Sequence, residues 1–222
     1  MKPNKNPENI KNIFNEISQY YDIMNNCISF GMHKIIKKSA IKFSDIMPNS
    51  KIIDICTGTG DLVKFVSRHC PDCEIIGIDI SEEMLKKAKI KNPTKQFIQA
   101  DVTNLPFKDN SFDYVISSFG IRNIENRQKA LSEIYRILKK DGKFLHLDFG
   151  YHNFFSKIFD FFLPFIVFLF RKNQQEYIYL KESKNDYPEP EELIKEFCNI
   201  GFNFYKEKDY LLKTISLIIF QK

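Results

Sequence analysis

The chain has 222 residues, 43% of them apolar and 27% charged, with 33 Lys and Arg against 28 Asp and Glu, a formal charge of +5. That length buries a real core and reads as one soluble domain with appendages, not as a disordered or fibrous chain. The lysines are scattered with carboxylates between them, which argues against a nucleic-acid binder, although a positive surface suits an anionic membrane face.

In chain order, residues 8–47 read as amphipathic helix interrupted around Asn25–Gly31. From 51 to 149, strand-like apolar runs alternate with helical patterns, which predicts a mostly parallel sheet with helices on both faces. Strands are expected near 51–56, 74–79, 96–100, 112–118 and 142–149, with helices near 60–69, 81–91 and 126–139. Ser81 before Glu82-Glu83 is a helix start, and Lys139-Lys140-Asp141-Gly142 reads as a stop and turn. Phe202–Lys208 and Thr214–Gln221 read as two closing strands joined tightly enough to be antiparallel.

The phenylalanine-rich stretch 154–170 carries Lys157, Asp160 and Pro164, and its apolar part falls short of the roughly 20 residues of a spanning helix. It predicts a buried helix, or a greasy lid or interfacial helix over a lipid-like substrate. The five cysteines, Cys27, Cys56, Cys70, Cys73 and Cys198, are odd in number and spread out, which argues against a disulfide framework. Cys70-Pro-Asp-Cys73, with His69 beside it, has metal or redox spacing, but no second pair completes a zinc site and no metal is expected. The N-terminal residues lack the apolar stretch of a signal peptide, so the chain reads as reduced, cytoplasmic and unprocessed.

The chemistry concentrates after the first predicted strand. Asp54 precedes a turn containing Gly58 and Gly60, where backbone amides and a helix N-terminus can approach a ligand. A dinucleotide fingerprint needs a third glycine where Val63 stands, and no Lys-Ser/Thr follows to make a phosphate loop. Asp54 would repel phosphate and suit an ammonium group. Asp79 ends the second strand, where ribose hydroxyls are gripped in such sheets, and Asp101 follows the third, in reach of an adenine amino group. Three acids at successive strand ends therefore predict S-adenosylmethionine (SAM), which carries an ammonium, a ribose and an adenine.

Several longer segments add a resemblance. Tyr21-Asp-Ile-Met-Asn25, Ser29-Phe-Gly-Met-His33, Gly58-Thr-Gly-Asp61, Leu105–Asp113, Ser118-Phe-Gly-Ile-Arg-Asn123, Tyr135–Lys139 and Tyr177–Ser183 resemble the class I SAM-dependent methyltransferases. More narrowly, they resemble the C-methyltransferases of ubiquinone and menaquinone biosynthesis. The resemblance implies a Rossmann-like sheet with an antiparallel C-terminal strand. It also implies cofactor contacts at Thr59, Asp79, Asp101, Val102 and Ser118. Residues 1–50 would form a helical cap over the active site and 51–222 the SAM-binding core, with an apolar helical insertion near 154–185. The implied reaction is methylation of a ring carbon of a polyprenylated hydroquinone, with demethylmenaquinol favoured by the short chain. Membrane-surface contact and a homodimer go with that reading.

A ring carbon becomes nucleophilic when the neighbouring hydroxyl loses its proton, so a base or a phenolate stabiliser is expected nearby. Arg122 and Asn123, just after the fourth strand, face the expected substrate side, with Arg122 as stabiliser because guanidinium stays protonated. Tyr21 and His33 are the alternative proton acceptors. The chain departs from the family at Cys56, Ile36, Lys181 and Thr214, mostly on the substrate side. The rival readings are an N- or O-methyltransferase of another small molecule or lipid, and a non-catalytic subunit with the same fold.

Overall fold

The computed structural model describes residues 3–153 and 174–222. Three helices come first: α1 (Pro7–Ile17), α2 (Tyr21–Ser29) and α3 (Met32–Phe43). Asn6 caps α1 by accepting from the Glu8 amide, and Pro7 sits where a missing N–H costs nothing. The expected interruption around Asn25–Gly31 is narrower than that range. Helix α2 runs on to Ser29, and the chain reverses through Phe30 and Gly31, both in the left-handed region with φ of 48° and 74°.

The strands are β1 (Lys51–Ile55), β2 (Glu74–Asp79), β3 (Gln96–Gln99), β4 (Phe112–Ser118), β5 (Leu138–Phe149), β6 (Asn203–Tyr210) and β7 (Ile215–Gln221). They form one seven-stranded sheet in the order β3-β2-β1-β4-β5-β7-β6. β1 to β5 pair in parallel, and β7 runs antiparallel to both β5 and β6. The strand order reverses between β1 and β4, the place where open α/β sheets leave a crevice for a ligand.

Helices α4 (Asp61–His69), α5 (Glu82–Lys91), α6 (Arg127–Ile137), α7 (Gln174–Asn185) and α8 (Pro190–Ile200) complete the described chain, with a 3-10 turn at Ile121–Asn123. Successive strand residues serve opposite faces. Ile52, Ile75, Tyr114 and Leu145 join Ile36, Val66 and Leu85 of α3, α4 and α5 in one core. Ile53, Ile76, Val115 and Phe144 join Leu131, Ile134 and Phe197 of α6 and α8 in the other. A sheet buried on both faces needs near-continuous apolar strands, which is what β1, β2 and β7 supply.

Two local expectations change. Helix α6 stops at Ile137, and Leu138 already pairs with Phe112, so Lys139–Gly142 is an irregularity within β5 and not a turn before it. Lys139 anchors it through two hydrogen bonds to Asp113, at 2.8 and 3.0 Å. Cys70 and Cys73 are joined in a disulfide, where no disulfide was expected. The turn from the Cys73 amide to the Cys70 carbonyl, 3.2 Å, brings the two side chains together. No group of side chains suited to a metal occurs among the described residues, and none of the described helices is long and apolar enough to cross a membrane. The phenylalanine-rich stretch lies outside the described residues; of the segment expected to form an insertion, only its end is described, as α7.

Candidate active site

The turn after β1 owes its shape to two contacts. The Thr57 amide donates to the Ile78 carbonyl at 2.9 Å, and the Gly58 amide donates to Asp79 Oδ2 at 2.8 Å. Gly60 has φ of 78° and sits against α5; a Cβ there would stand 2.8 Å from Asn92 Nδ2 and 3.1 Å from Ala88 Cβ. A side chain at that position would thus be strained and would also push the turn off the helix. Cys56 is likewise left-handed, with φ of 53°, and a Cβ on Gly120 would lie 2.4 Å from its own Cβ. Cys56 and Gly120 therefore fit only as a pair.

Asp79 ends β2 with one carboxylate oxygen on the Gly58 amide and the other on the Ser81 amide, at 2.9 Å. Burial pushes its carboxyl above the ordinary range, against the pull of those amides. The Ile80 amide acts on the same carboxylate, whose remaining acceptor capacity suits a hydroxyl donor. Asp101, after β3, accepts from the Thr103 amide at 2.8 Å. Both acids line one cavity of about 250 Å³. Gly58 and Val102 form part of its wall, Ser118 and Asn123 contribute from the end of β4, and Tyr21 reaches in from α2. Ile10, Phe14 and Phe119 make it largely apolar. Tyr21 stands over the turn, since a Cβ on Gly58 would be 3.9 Å from its Cε1, and its ring meets Phe14 edge-on. Burial raises the Tyr21 phenol, so it stays protonated at neutral pH.

Five of the expected residues do not line this cavity. Asp54 is 1% exposed and accepts from the Thr57 hydroxyl at 2.5 Å, which fixes the turn from below; burial pushes its carboxyl up to about 7. Gly60 turns the chain into α4. Thr59 directs its hydroxyl to Asp22 at 2.7 Å and receives Lys91 at 2.8 Å. Lys91 also pairs with Asp22 at 2.5 Å and Asp61 at 3.3 Å, while Lys37 of α3 reaches Asp61 at 3.3 Å. Burial alone would raise Asp61, but Lys37 and Lys91 outweigh it and hold the carboxyl at about 2. His33 belongs to the same cluster, with Ser29 Oγ at 2.6 Å and Asp61 at 3.9 Å. Burial and Lys37 lower it to about 4, so it is neutral at physiological pH. These charges join α2 and α3 to the glycine turn.

Arg122 is 6% exposed, and its hydrogen bonds run through one nitrogen while its buried Nε has no hydrogen-bond partner among the described residues. Its Nη1 donates to the Phe119 carbonyl at 2.5 Å and to Asp148 Oδ1 at 2.9 Å, and its guanidinium lies against the Phe119 and Phe149 rings. Asn123, by contrast, faces the cavity and accepts from the Tyr179 hydroxyl of α7 at 3.1 Å.

Sequence reasoning missed Asp148, Tyr179 and the buried pair His146–Tyr187, whose Nε2 and hydroxyl are 3.0 Å apart. Asp148 had a signal, being one more carboxylate near the end of a parallel strand. Tyr179 had one too, because it lies in the Tyr177–Ser183 segment that carries the resemblance. The His146 ring is held neutral by burial, at about 4.

The ubiE/COQ5 methyltransferase family model matches residues 2–218. The chain is 37% identical over 213 residues to a demethylmenaquinone methyltransferase of Staphylococcus aureus strain JH9, covering 91% of this chain and 88% of that protein. Among solved structures, a SAM-dependent methyltransferase from Thermotoga maritima superposes with a TM-score of 0.71 at 22% identity, over 95% of this chain and 99% of that one. Haemonchus contortus phosphoethanolamine N-methyltransferase 2, in complex with S-adenosyl-L-methionine, gives 0.60 at 19% identity, over 82% of this chain and 50% of that one. At those identities the two structures establish the fold, and the sequence relatives carry the functional comparison.

Proposed function

The chain belongs to the ubiE/COQ5 methyltransferase family, whose members are SAM-dependent C-methyltransferases of quinone biosynthesis, and from that premise we propose that it methylates demethylmenaquinol to menaquinol with SAM as donor. The observation that carries the reading is a single, largely apolar cavity with Asp79 and Asp101 on one side and Asn123 on the other. The residues fit the cofactor: Asp79 offers two acceptors for ribose hydroxyls, and Asp101 beside Val102 offers an acceptor next to an apolar wall for adenine. Bound SAM supplies a methyl group that is already electrophilic. The protein's task is then to bind, align and keep water out.

In this proposal Tyr21, Ile10 and Phe14 close the cavity from the N-terminal helices, which act as a cap. Asn123 meets the acceptor's ring oxygen, and Tyr179 fixes which way its amide points by donating to Oδ1. With the oxygen so engaged, the Asn123 amide nitrogen donates one N–H to the Phe119 carbonyl at 3.5 Å and offers its second to developing phenolate charge. Arg122 acts through its neighbours as a positioning residue: bound to Asp148 and the Phe119 carbonyl, it holds the segment Phe119–Asn123 in place. His33 binds the cap to the turn and takes no part in proton transfer.

Methyl-labelled SAM incubated with prenylated demethylated naphthoquinol and benzoquinol tests the reading directly. Label in the naphthoquinol ring carbon is the expected product. Label confined to the benzoquinol, on oxygen or nitrogen, or in neither acceptor overturns it.

A further inference from the structure

The surface of the helical hairpin α2–α3 is not what a protein keeps for contact with water. Phe30, at the reversal between the helices, is 88% exposed in a left-handed conformation that points a large ring away from both. Ile35 is 68% exposed, Ile23 56%, and Tyr20 and Met32 also face outward. Single exposed apolar residues need no explanation, but five within sixteen positions of one hairpin do. The buried side of the same hairpin already has its partners: Met24 packs with Ile17 and Met84, and Ile36 and Ala40 join the core. The outward residues are thus a second apolar face.

The charge on this hairpin is one-sided. Helix α3 carries Lys34, Lys37, Lys38 and Lys42 with no acid, and the one acid of α2, Asp22, is held by Lys91. Lys37 is turned inward to Asp61, which leaves Lys34, Lys38 and Lys42 beside the apolar face. Lysines flanking exposed Phe and Ile side chains form an interfacial amphipathic pattern, with rings and branched chains suited to the acyl boundary and ammonium groups to anionic head groups. A protein partner would be selected by complementary shape and paired polar groups, whereas the helices of this hairpin offer no unpaired acid. Tyr21, on the same helix as Ile23, lines the cavity, so the helix that carries part of this face also walls the site.

We propose that the α2–α3 hairpin, with Phe30 at its tip and Lys34, Lys38 and Lys42 around it, is the face by which the enzyme docks on an anionic lipid bilayer. The inference rests on the quinol reading for its purpose, because a prenylated quinol resides in the bilayer, and docking here brings the cavity to it. Its test does not depend on that reading. Flotation is measured with vesicles of phosphatidylcholine alone and of phosphatidylcholine mixed with phosphatidylglycerol, for the wild type, Phe30→Ser/Ile35→Ser and Lys38→Glu/Lys42→Glu. SAM calorimetry on each serves as the check of folding.

The wild type is expected to float with the anionic vesicles and to release as salt rises. Both variants should bind them at least about tenfold more weakly while keeping SAM affinity. Wild-type flotation by Phe30→Ser/Ile35→Ser overturns the proposal. So does a sedimentation profile in which that variant dissociates a dimer while no form of the protein binds vesicles. Vesicle binding that follows these expectations without methylation of any quinol upholds the docking face and removes the acceptor assignment instead.

Discussion

Replacing Arg122 by Ala removes the counter-charge of Asp148, which is 1% exposed. Asp148 Oδ1 would retain only the Phe149 amide at 2.9 Å, and Oδ2 already lacks a hydrogen-bond partner among the described residues. Breaking a buried pair on one side costs about 3–5 kcal/mol, because the remaining charge is stranded in low dielectric. For a chain of this size each kcal/mol moves the melting temperature by about 2–4 °C, so Arg122→Ala should melt roughly 6–20 °C lower. One further signature separates a stranded charge from simple loss of packing. Arg122→Met/Asp148→Leu, which removes both charges, should return to within about 1 kcal/mol of wild type. Urea melts followed by circular dichroism without added SAM give the numbers, with the slope checked for a two-state transition. Turnover should fall strongly in both variants while SAM affinity of the folded protein stays nearly unchanged, since Arg122 does not line the cavity. A loss below about 1 kcal/mol for Arg122→Ala, or a double variant as unstable as the single one, would refute the argument.

Asp79→Ala should abolish SAM binding and also cost about 1–3 kcal/mol, because the Gly58 and Ser81 amides lose their acceptor; micromolar binding by calorimetry would contradict this. Tyr179→Phe should lower kcat at an unchanged KM for SAM, with a stability loss of only about 0.5–1.5 kcal/mol for one neutral hydrogen bond. An unaltered kcat would leave Asn123 without its proposed orienting partner. Asp54 binds its proton more tightly folded than unfolded, because burial lifts it to about 7. The stability it contributes is therefore full below the unfolded value near 4 and is lost as pH rises through about 7. Asp54→Asn should gain on wild type across that window, by on the order of 4 kcal/mol at its upper end. His33 and His146, lowered to about 4, tilt both profiles the opposite way, so the difference between the two proteins is the quantity to measure. Parallel stability curves would show that Asp54 is not perturbed.

Much of the sheet was legible because its strands are buried on both faces and so appear as short, nearly unbroken apolar runs. β2 and β4 have the expected limits, 74–79 and 112–118. Legibility failed where two structures share one composition. Lys139-Lys140-Asp141-Gly142 satisfies both a helix stop and a strand irregularity, and only the pairing of Leu138 with Phe112 decides between them. Cys70-Pro-Asp-Cys73 is equally consistent with metal, thiols or a bridge until the turn geometry is known. At the site, the placement of Asp79 and Asp101 at one cavity was readable because it depends on strand order alone. Asp54 and Arg122 were not, because what they do depends on which way the side chain leaves the backbone. A charged residue next to a crevice can line it or support it, and only the location of its partner distinguishes the two.

That distinction divides the site by physical principle. The proposed SAM side is built from carboxylates whose partners are backbone amides two to four residues past a strand end, so its geometry follows from the sheet and tolerates change in the surrounding side chains. The proposed acceptor side is built from side chains that meet over long separations: Arg122 with Asp148, Asn123 with Tyr179, His146 with Tyr187. The first two tie β5 and α7 to the turn after β4, and the third ties β5 to the loop after α7, so all three bear on the elements packed around Asn123. Substitutions that alter the acceptor should therefore cluster on Tyr179, Asp148, His146 and Tyr187, whereas those that abolish SAM binding should cluster on Gly58, Asp79 and Asp101. A scan of both groups with separate SAM-affinity and acceptor-profile readouts would dissolve this division if the two effects fell on the same residues.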